Sequence, residues 1–533
     1  MTNDEIIDTL EITAKLMELH NENPFKTKAL SNAAFKLSKL RFDFQGKTAQ
    51  ELENIEGIGK SIGSKIAEML HTGRSSDFED MMAKTPEGLL EILGVKGLGP
   101  KKVRQLWQEL NIESIGELLY ACNENRLTAL KGFGEKTQTQ VKLGIEFKLA
   151  NNHKFHYASL EQPLAQLIEL IRTQQQGVLA SLVGEMARKC EVIERVDILL
   201  SQPLSIDTQE IESRIPLKIN YIICEPEQFY LKSVELSSNT LHLEKINFSS
   251  VSSKSYASEE QVYQSLGLPF IAPELREGLE EVNLAKQNKL PSLIEYSDLK
   301  GTLHNHTTYS DGVHTLKEMA DYCEKIGLTY LGICDHSKTA VYANGLTIEK
   351  VIEQQQEIDK LNANNPNFRI LKGIESDILG DGSLDYPEEI LKTFDFIVAS
   401  IHSNLKMNEE KATERLIKAI ENPYTSILGH PTGRLLLARP GYPIHHKKVI
   451  DACAANKVSI ELNAHPYRLD IDWRWIPYCL EKGVMVSINP DAHHKEGFHD
   501  MYYGVCAARK GMLNKENCLN ALRVEELIQL LKK

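Results

Sequence analysis

None of the nine cysteines in this 533-residue chain stands in a Cys-x-x-Cys pair. That spacing suggests neither a thiolate zinc site nor a disulfide framework. Long apolar runs are missing too, because no stretch approaches the ~20 residues needed to cross a bilayer. The opening Met1-Thr2-Asn3-Asp4-Glu5 carries acids where a secretion signal would carry Lys or Arg. The expectation is a cytoplasmic protein that neither spans nor binds a membrane. Net positive charge is also lacking: the chain stands at −13. That balance argues against a nucleic-acid partner at first sight, but binding depends on local patches rather than on the total.

A local patch exists. From Pro24 to Lys47 there are six basic residues, Lys26, Lys28, Lys36, Lys39, Arg41 and Lys47, and one acid, Asp43. A solvated helix face reads equally well from that stretch alone. With 42% hydrophobic and 25% charged residues, the chain is an ordinary globular one, long enough for three or four domains.

The first 150 residues carry apolar positions at helical spacing, broken by short glycine-rich turns. The turns repeat: Ile55-Glu56-Gly57-Ile58-Gly59-Lys60, then Val95-Lys96-Gly97-Leu98-Gly99-Pro100-Lys101-Lys102, then Leu130-Lys131-Gly132-Phe133-Gly134-Glu135-Lys136. A helical pattern follows each one. A single Gly-x-Gly would serve any helix–turn–helix connection. Three in one register resemble the helix-hairpin-helix motif, in which freed N–H groups and a helix N-terminus meet a phosphate. The glycines would permit positive φ and close approach. The resemblance implies sequence-independent grip on DNA backbone through Gly57, Gly59, Lys60, Gly97, Gly99, Lys101, Lys102, Gly132 and Gly134.

Residues 151–290 hold Gly184-Glu185, Arg188-Lys189 and Arg195-Val196-Asp197. This spacing resembles the palm signature of family X DNA polymerases. Asn23-Pro24-Phe25-Lys26 with Ala33-Ala34 is similar to that family's lyase-type domain. Glu225-Pro226-Glu227-Gln228 and Gly267-Leu268-Pro269 are similar to its palm and thumb. The departures are electrostatic. The family's carboxylates hold two Mg²⁺ ions, yet Arg195 and Asn220 stand at two of the three acid positions and only Asp197 remains. Glu185 replaces a serine that would face a triphosphate. The resemblance with these departures implies an inactive polymerase site.

From Leu299 onward short apolar runs alternate with helical stretches, the pattern of βα units. Seven successive runs end in His, Asp, Glu or Asn: His304 and His306, Asp335-His336, Glu375, His402, His430, Glu461 to Asn463, and Asp491 to His493. In a parallel barrel the C-terminal strand ends converge on one face. One such histidine is usually structural, but five strand ends bearing His are not explained by packing. Imidazole and carboxylate without thiolate suit Mn, Zn or Fe. The pattern resembles the PHP (polymerase and histidinol phosphatase) metallohydrolases. That resemblance implies nine ligands for three ions, Mn²⁺ foremost with Zn²⁺ or Fe²⁺ as alternatives: His304, His306, Asp311, His336, Glu375, His402, His430, Asp491 and His493. Glu375 and Asp491 are expected at the catalytic centre, Glu375 as a bridge. Arg434 and Arg468 are candidate phosphate clamps, each reading equally as a surface arginine. His314, His445, His446, His465, His494 and His499 are taken as surface or supporting residues, and Ser403 as incidental.

The expected fold is multidomain α and α/β. Its parts are a lyase-like helical domain with the first hairpin (1–80), a fingers-like hairpin domain (81–150), a nucleotidyltransferase-like α+β palm and thumb (151–290), and a distorted (β/α)7 PHP barrel (298–533). Together the resemblances imply a bacterial family X polymerase-like protein with a C-terminal PHP domain. The function they imply is a metal-dependent 3′→5′ exonuclease in DNA repair, with AP-site or 3′-end cleaning as variants. A histidinol-phosphate-like phosphatase and a non-catalytic DNA-binding scaffold are the alternatives. The hairpins oppose the first and the complete ligand set opposes the second.

Overall fold

Thr2 starts the first helix. Its side chain accepts from the Glu5 N–H while the Glu5 carboxylate accepts from the Thr2 N–H, a reciprocal cap that satisfies two donors left over at a helix start. Helix α1 (Asn3–Leu19) then buries Ile6, Leu10, Ala14 and Met17 at three- and four-residue spacing. It packs on α2 (Pro24–Lys39), which buries Leu30, Ala33, Ala34 and Leu37 and exposes Lys26, Lys28 and Lys36. Seven further helices follow: α3 (Ala49–Glu53), α4 (Lys60–Thr72), α5 (Ser76–Met82), α6 (Glu87–Leu93), α7 (Pro100–Leu110), α8 (Ile115–Asn123) and α9 (Glu135–Ala150). The computed structural model describes residues 1–531 other than 40–43, 45, 54, 56, 57, 124, 125, 151, 152 and 252–254. Arg41, Asp43 and Gly57 therefore lie outside the described residues.

The chain forms two compact units, Met1–Asn152 and His153–Lys533. In the first, α5 crosses the expected 80/81 boundary and one hydrophobic core runs from Ile6 to Ile145. The two hairpin segments share a core, so they pack as one body.

The second unit begins with β1 (Phe155–His156) and α10 (Tyr157–Gln174). A small sheet comprises β2 (Ala180–Val183), β4 (Val196–Leu200) and β5 (Ile219–Ile223), with β2 antiparallel and β5 parallel to the buried β4. β3 (Val192–Ile193) pairs with β1. Next come the seven barrel strands: β6 (Gly301–Thr302), β7 (Tyr330–Ile333), β8 (Arg369–Asp377), β9 (Phe396–Ser400), β10 (Ile427–Leu428), β11 (Ser459–Asn463) and β12 (Val486–Asn489). Their spatial order follows the chain and every neighbouring pair is parallel. The ends nearly close: Asn305 bridges Ala492, the His306 N–H donates to Ala492 O at 2.9 Å, and the Leu303 N–H donates to Asn489 Oδ1 at 3.1 Å. Each strand-end group is thereby held at one rim.

Polar contacts tie the palm-like segment to the barrel. Lys510, on the helix Met501–Lys510, donates to Arg188 O at 2.8 Å and Glu277 Oε1 at 2.7 Å. Arg474 and Trp473 both donate to the Glu191 carboxylate. A buried ammonium without such partners would be strongly destabilising.

Inside the barrel, Phe396 fills the space between strands, and small residues must face it. A Cβ on Gly332 would lie 2.6 Å from Phe396 Cζ and 2.9 Å from the Leu303 backbone. Gly332→Ala is therefore expected to destabilise the protein by about 1–3 kcal/mol, with part of the loss recovered by adding Phe396→Leu. Gly380, with nothing within 4 Å of an added Cβ, serves as the neutral control in the same thermal melts. Equal melting of Gly332→Ala and Gly380→Ala would show that Phe396 does not limit this position.

Candidate metal centre and nucleic-acid surfaces

Glu375, on the long strand β8, is fully buried and faces five imidazoles. Its Oε1 lies 3.0 Å from His430 Nε2, 3.1 Å from His402 Nε2 and 3.3 Å from His304 Nε2. Its Oε2 lies 2.8 Å from His336 Nδ1 and 3.7 Å from His306 Nε2. Asp491 contributes a second carboxylate, 2.9 Å from His306 Nε2. It does so from a left-handed backbone (φ 54°), a conformation whose cost is tolerated where geometry matters for function. His493 Nε2 and His336 Nε2 lie 3.4 Å and 3.7 Å from Asp311 Oδ1.

The structure thus brings all nine expected residues together. Three groups have ligand atoms within 4.8 Å of one another: His306, Asp311, His336 and His493; His304, His306 and Asp491; and His336, Glu375 and His402. His430 adjoins the third group through Glu375. The groups share His306 and His336.

The electrostatics follow from burial and crowding. Burial, then neighbouring His493 and His336, press His306 down to about 3. Burial opposes ionisation of Glu375, yet His402, His304 and His336 outweigh it and hold the carboxyl well below its usual range. Burial likewise opposes charge on His402, but Glu375 and Asp377 lift it to about 10. Carboxylates this deep require positive charge beside them.

The residues fit divalent ions on two further counts. Two rings are pinned by acids at one nitrogen: His304 Nδ1 lies 2.7 Å from Glu461 Oε1, and His402 Nδ1 lies 2.5 Å from Asp377 Oδ1. That leaves each Nε2 aimed at the cluster, the usual arrangement behind a metal-binding histidine. Among the described residues, Nδ1 of His306 is buried without a hydrogen-bond partner. The nearby thiol of Cys334 instead donates to Leu303 O.

The supporting acids were within reach of sequence reasoning. Glu461 and Asp335 end strand-like runs, and Asp377 follows Glu375 by two, hence on the same strand face. Asp335 accepts from the Thr307 N–H and hydroxyl, from Gln354 and from Ser310, which fixes the loop leading to Asp311. Asn463 donates to Asp491 Oδ2 at 3.1 Å.

The two arginines separate. Arg434 donates to Asp472 Oδ2 at 2.6 Å, to Arg468 O at 2.9 Å and to Leu469 O. Its guanidinium holds the 468–472 loop. Arg468 Nε lies 3.8 Å from Asp491 Oδ2, at the rim of the cluster.

In the palm-like sheet Asn220 sits directly opposite Asp197. Asp197, 3% exposed, accepts from Arg195 Nε at 2.7 Å and Asn220 Nδ2 at 2.8 Å. Glu185 Oε2 accepts the N–H groups of Glu194 and Arg195 at 2.7 and 3.2 Å. Arg188 faces Glu277 at 3.3 Å.

The hairpins repeat one geometry. Ile58 donates to Ile55 O, Leu98 to Val95 O and Phe133 to Leu130 O, at 2.9, 3.1 and 3.1 Å. The apolar residue between the glycines is buried each time. Gly97 and Gly132 have φ of 90° and 89°, as the third position of such a turn requires. The third hairpin therefore turns as the second does, despite Glu135. Positive φ does not extend to the second glycines: Gly59 and Gly99 are extended helix caps with φ of −85° and −87°, which corrects the expectation of positive φ at both. A Cβ on Gly59, Gly99 or Gly134 would meet nothing within 4 Å, so space is left for an approaching ligand. Lys60, Lys101 and Lys102 lie in the first turn of α4 or α7.

A nearly closed, seven-stranded parallel barrel with this imidazole–carboxylate rim, matched by the PHP domain family and by an exonuclease relative, defines a PHP-type hydrolase acting on phosphodiester bonds. Residues 302–465 match the PHP domain family; residues 1–75 match a helix-hairpin-helix domain and 89–146 a SAM-like helix-hairpin-helix tandem. Asp491 and His493 lie beyond the matched PHP span and join the cluster through the fold. The chain is 34% identical to the DNA polymerase/3′-5′ exonuclease PolX of Bacillus subtilis over 99% of both chains. It is also similar to probable phosphatases of Acetivibrio thermocellus and Caldanaerobacter subterraneus, 31% and 32% identical over 36% of this chain and 78% and 74% of theirs. The chain belongs to the PolX family, the bacterial family X polymerase-like proteins with a C-terminal PHP domain.

Two tests follow from this geometry. Glu461→Gln removes the charge that orients His304, so Mn²⁺ affinity measured by calorimetry should fall about 10–100-fold with the barrel still folded. Unchanged affinity would remove Glu461 from the metal centre. For the hairpins, Gly97→Val strains a turn that needs positive φ, and Gly99→Val only blocks approach. Both should weaken DNA binding in fluorescence anisotropy, and Gly97→Val alone should also lower thermal stability. Wild-type affinity in both variants would count against phosphate binding at this turn.

Proposed function

We propose that this protein is a DNA-processing nuclease, a 3′→5′ exonuclease working in DNA repair, whose palm-like domain no longer polymerises. The observation that carries the reading is the buried convergence of seven barrel strands on one imidazole–carboxylate cluster, in a chain that also bears glycine-paired hairpins. Sequence-independent DNA backbone is the partner that such hairpins suit.

The donor set suits Mn²⁺, with Zn²⁺ or Fe²⁺ as alternatives, and the three groups of residues accommodate three ions. Glu375, facing five of the imidazoles, and Asp491 would hold such ions together with the histidines beside them. When bound, such ions supply an activated water near neutral pH and positive charge against the phosphodiester. The protein's own residues do the rest. Glu461 and Asp377 keep the rings of His304 and His402 oriented. Asp335 fixes the loop before Asp311. Arg468 is placed to meet a phosphate oxygen, while Arg434 secures the loop on which Arg468 sits.

The inactive palm rests on charge. A polymerase site needs clustered carboxylates for two Mg²⁺ ions, and here the one remaining acid, Asp197, already has both oxygens taken by Arg195 and Asn220. A pair of like unit charges ~4 Å apart repels by roughly 4 kcal/mol at an effective dielectric of ~20, and a divalent ion by about twice that, so a metal beside the Arg195 guanidinium is strongly disfavoured. A second reading, hydrolysis of a small phosphomonoester, draws on the similarity of the barrel to the probable phosphatases. It leaves the hairpins without a role.

End-labelled DNA distinguishes these outcomes. Wild-type protein with Mn²⁺ should shorten single strands from the 3′ end faster than it hydrolyses histidinol phosphate, and His306→Ala should lose about 10³-fold or more. In that His306→Ala background a gapped duplex with all four nucleotides should show no primer extension. Near-normal digestion by His306→Ala would displace the proposed centre, and templated extension would revive the palm.

A further inference from the structure

Tyr467 is a half-exposed aromatic at the rim of the metal centre, with 52% of its surface in solvent. It lies between His465, whose surroundings include Asp491 and His493, and Arg468, 3.8 Å from Asp491. One face of its ring is covered by His156, which stacks at 4.2 Å between centroids and 28° between planes. His156 belongs to the palm-like segment, on β1. Its Nε2–H donates to Leu436 O at 3.1 Å, and the Leu436 N–H donates to Tyr467 O at 2.7 Å. The turn beneath is closed locally: the Tyr467 N–H donates to His465 Nδ1 at 3.2 Å and the Arg468 N–H to His465 O at 2.7 Å. An apolar ring is thus fixed in water next to a phosphodiester-cleaving site, and it belongs to none of the hydrophobic cores.

We propose that Tyr467, backed by His156, is the stacking platform for the terminal base of the DNA strand being cut. Every base has a π-face, so stacking on a rigid aromatic gives binding without sequence preference. A ring already fixed by its neighbours loses little freedom when a base lands on it. Arg468, the adjoining residue, is placed for the phosphate of the same nucleotide. Tyr467 touches the substrate and His156 is a positioning residue. The palm-like segment thereby contributes to the nuclease substrate surface. This inference rests on the exonuclease reading above.

The test uses the full-length protein with Mn²⁺ and two 5′-labelled oligonucleotides of one sequence. One ends in a normal 3′ nucleotide and the other in a tetrahydrofuran residue, which keeps the phosphodiester but has no base. Tyr467→Ala should lower kcat/KM about tenfold or more on the base-bearing end and leave the baseless end within about twofold. His156→Ala should show the same selectivity with a smaller loss, and Tyr467→Trp should stay near wild type, which keeps the test meaningful if the Ala variant folds poorly. Equal losses on both substrates would mean that Tyr467 acts only through the position of Arg468, and no loss on either would mean that it does not bind substrate. Both results overturn the platform while leaving the exonuclease intact. Failure of the wild type to cut either oligonucleotide would overturn the exonuclease reading itself.

Discussion

A single buried carboxylate organises the C-terminal half of this protein. Glu375 is surrounded by His304, His306, His336, His402 and His430 at 2.8–3.7 Å. Ionised and fully enclosed, it is tolerable only where positive charge or hydrogen bonds surround it. The position of that carboxylate on β8, the longest strand of the parallel sheet, gives the imidazoles a common centre to converge on. Glu461 and Asp377 extend the arrangement outward by fixing the far nitrogens of two rings.

The barrel achieves this placement through small residues at its interior as much as through its polar rim. Gly332 and Gly373 both make room for Phe396, whose ring would lie 2.6 and 2.4 Å from a Cβ at those positions. Closure at the first and last strands depends on Asn305 with Ala492 and on Asn489. Because Asp491 and His493 follow directly after β12, that closure also delivers them to His306 and Asp311.

The palm-like segment shows a different economy of charge. Its remaining acid, Asp197, is neutralised within the fold by Arg195 and Asn220. Arg188 is engaged by Glu277, and Lys510 of the barrel joins the same carboxylate. The charged groups of this segment are paired with one another and with the barrel. The segment is fastened to its neighbour, and His156 from it stacks on Tyr467 of the barrel.

Much was written plainly along the chain. The seven strand-end runs from His304 to His493 and the recurring Gly-x-Gly turns are local patterns, and period-two and period-3.6 spacing report them directly. In the sequence only the family resemblance put Asp197 and Asn220 at one site, and the parallel pairing of β4 with β5 sets them opposite each other. What stayed hidden depended on approach in three dimensions. Arg434 and Arg468 look alike in sequence, and only the path of the 468–472 loop shows that one supports the other. The second glycine of the first two hairpins is a helix cap rather than a left-handed turn residue, a difference set by backbone angles that composition does not encode. The stacking of His156 on Tyr467 joins residues 311 positions apart, and no periodicity in either segment announces it. Local spacing determined the elements and the chemistry at their ends, whereas side-chain partners across the fold were decided by tertiary packing, because a hydrogen bond or a stacked ring is specified by position in space and not by distance along the chain.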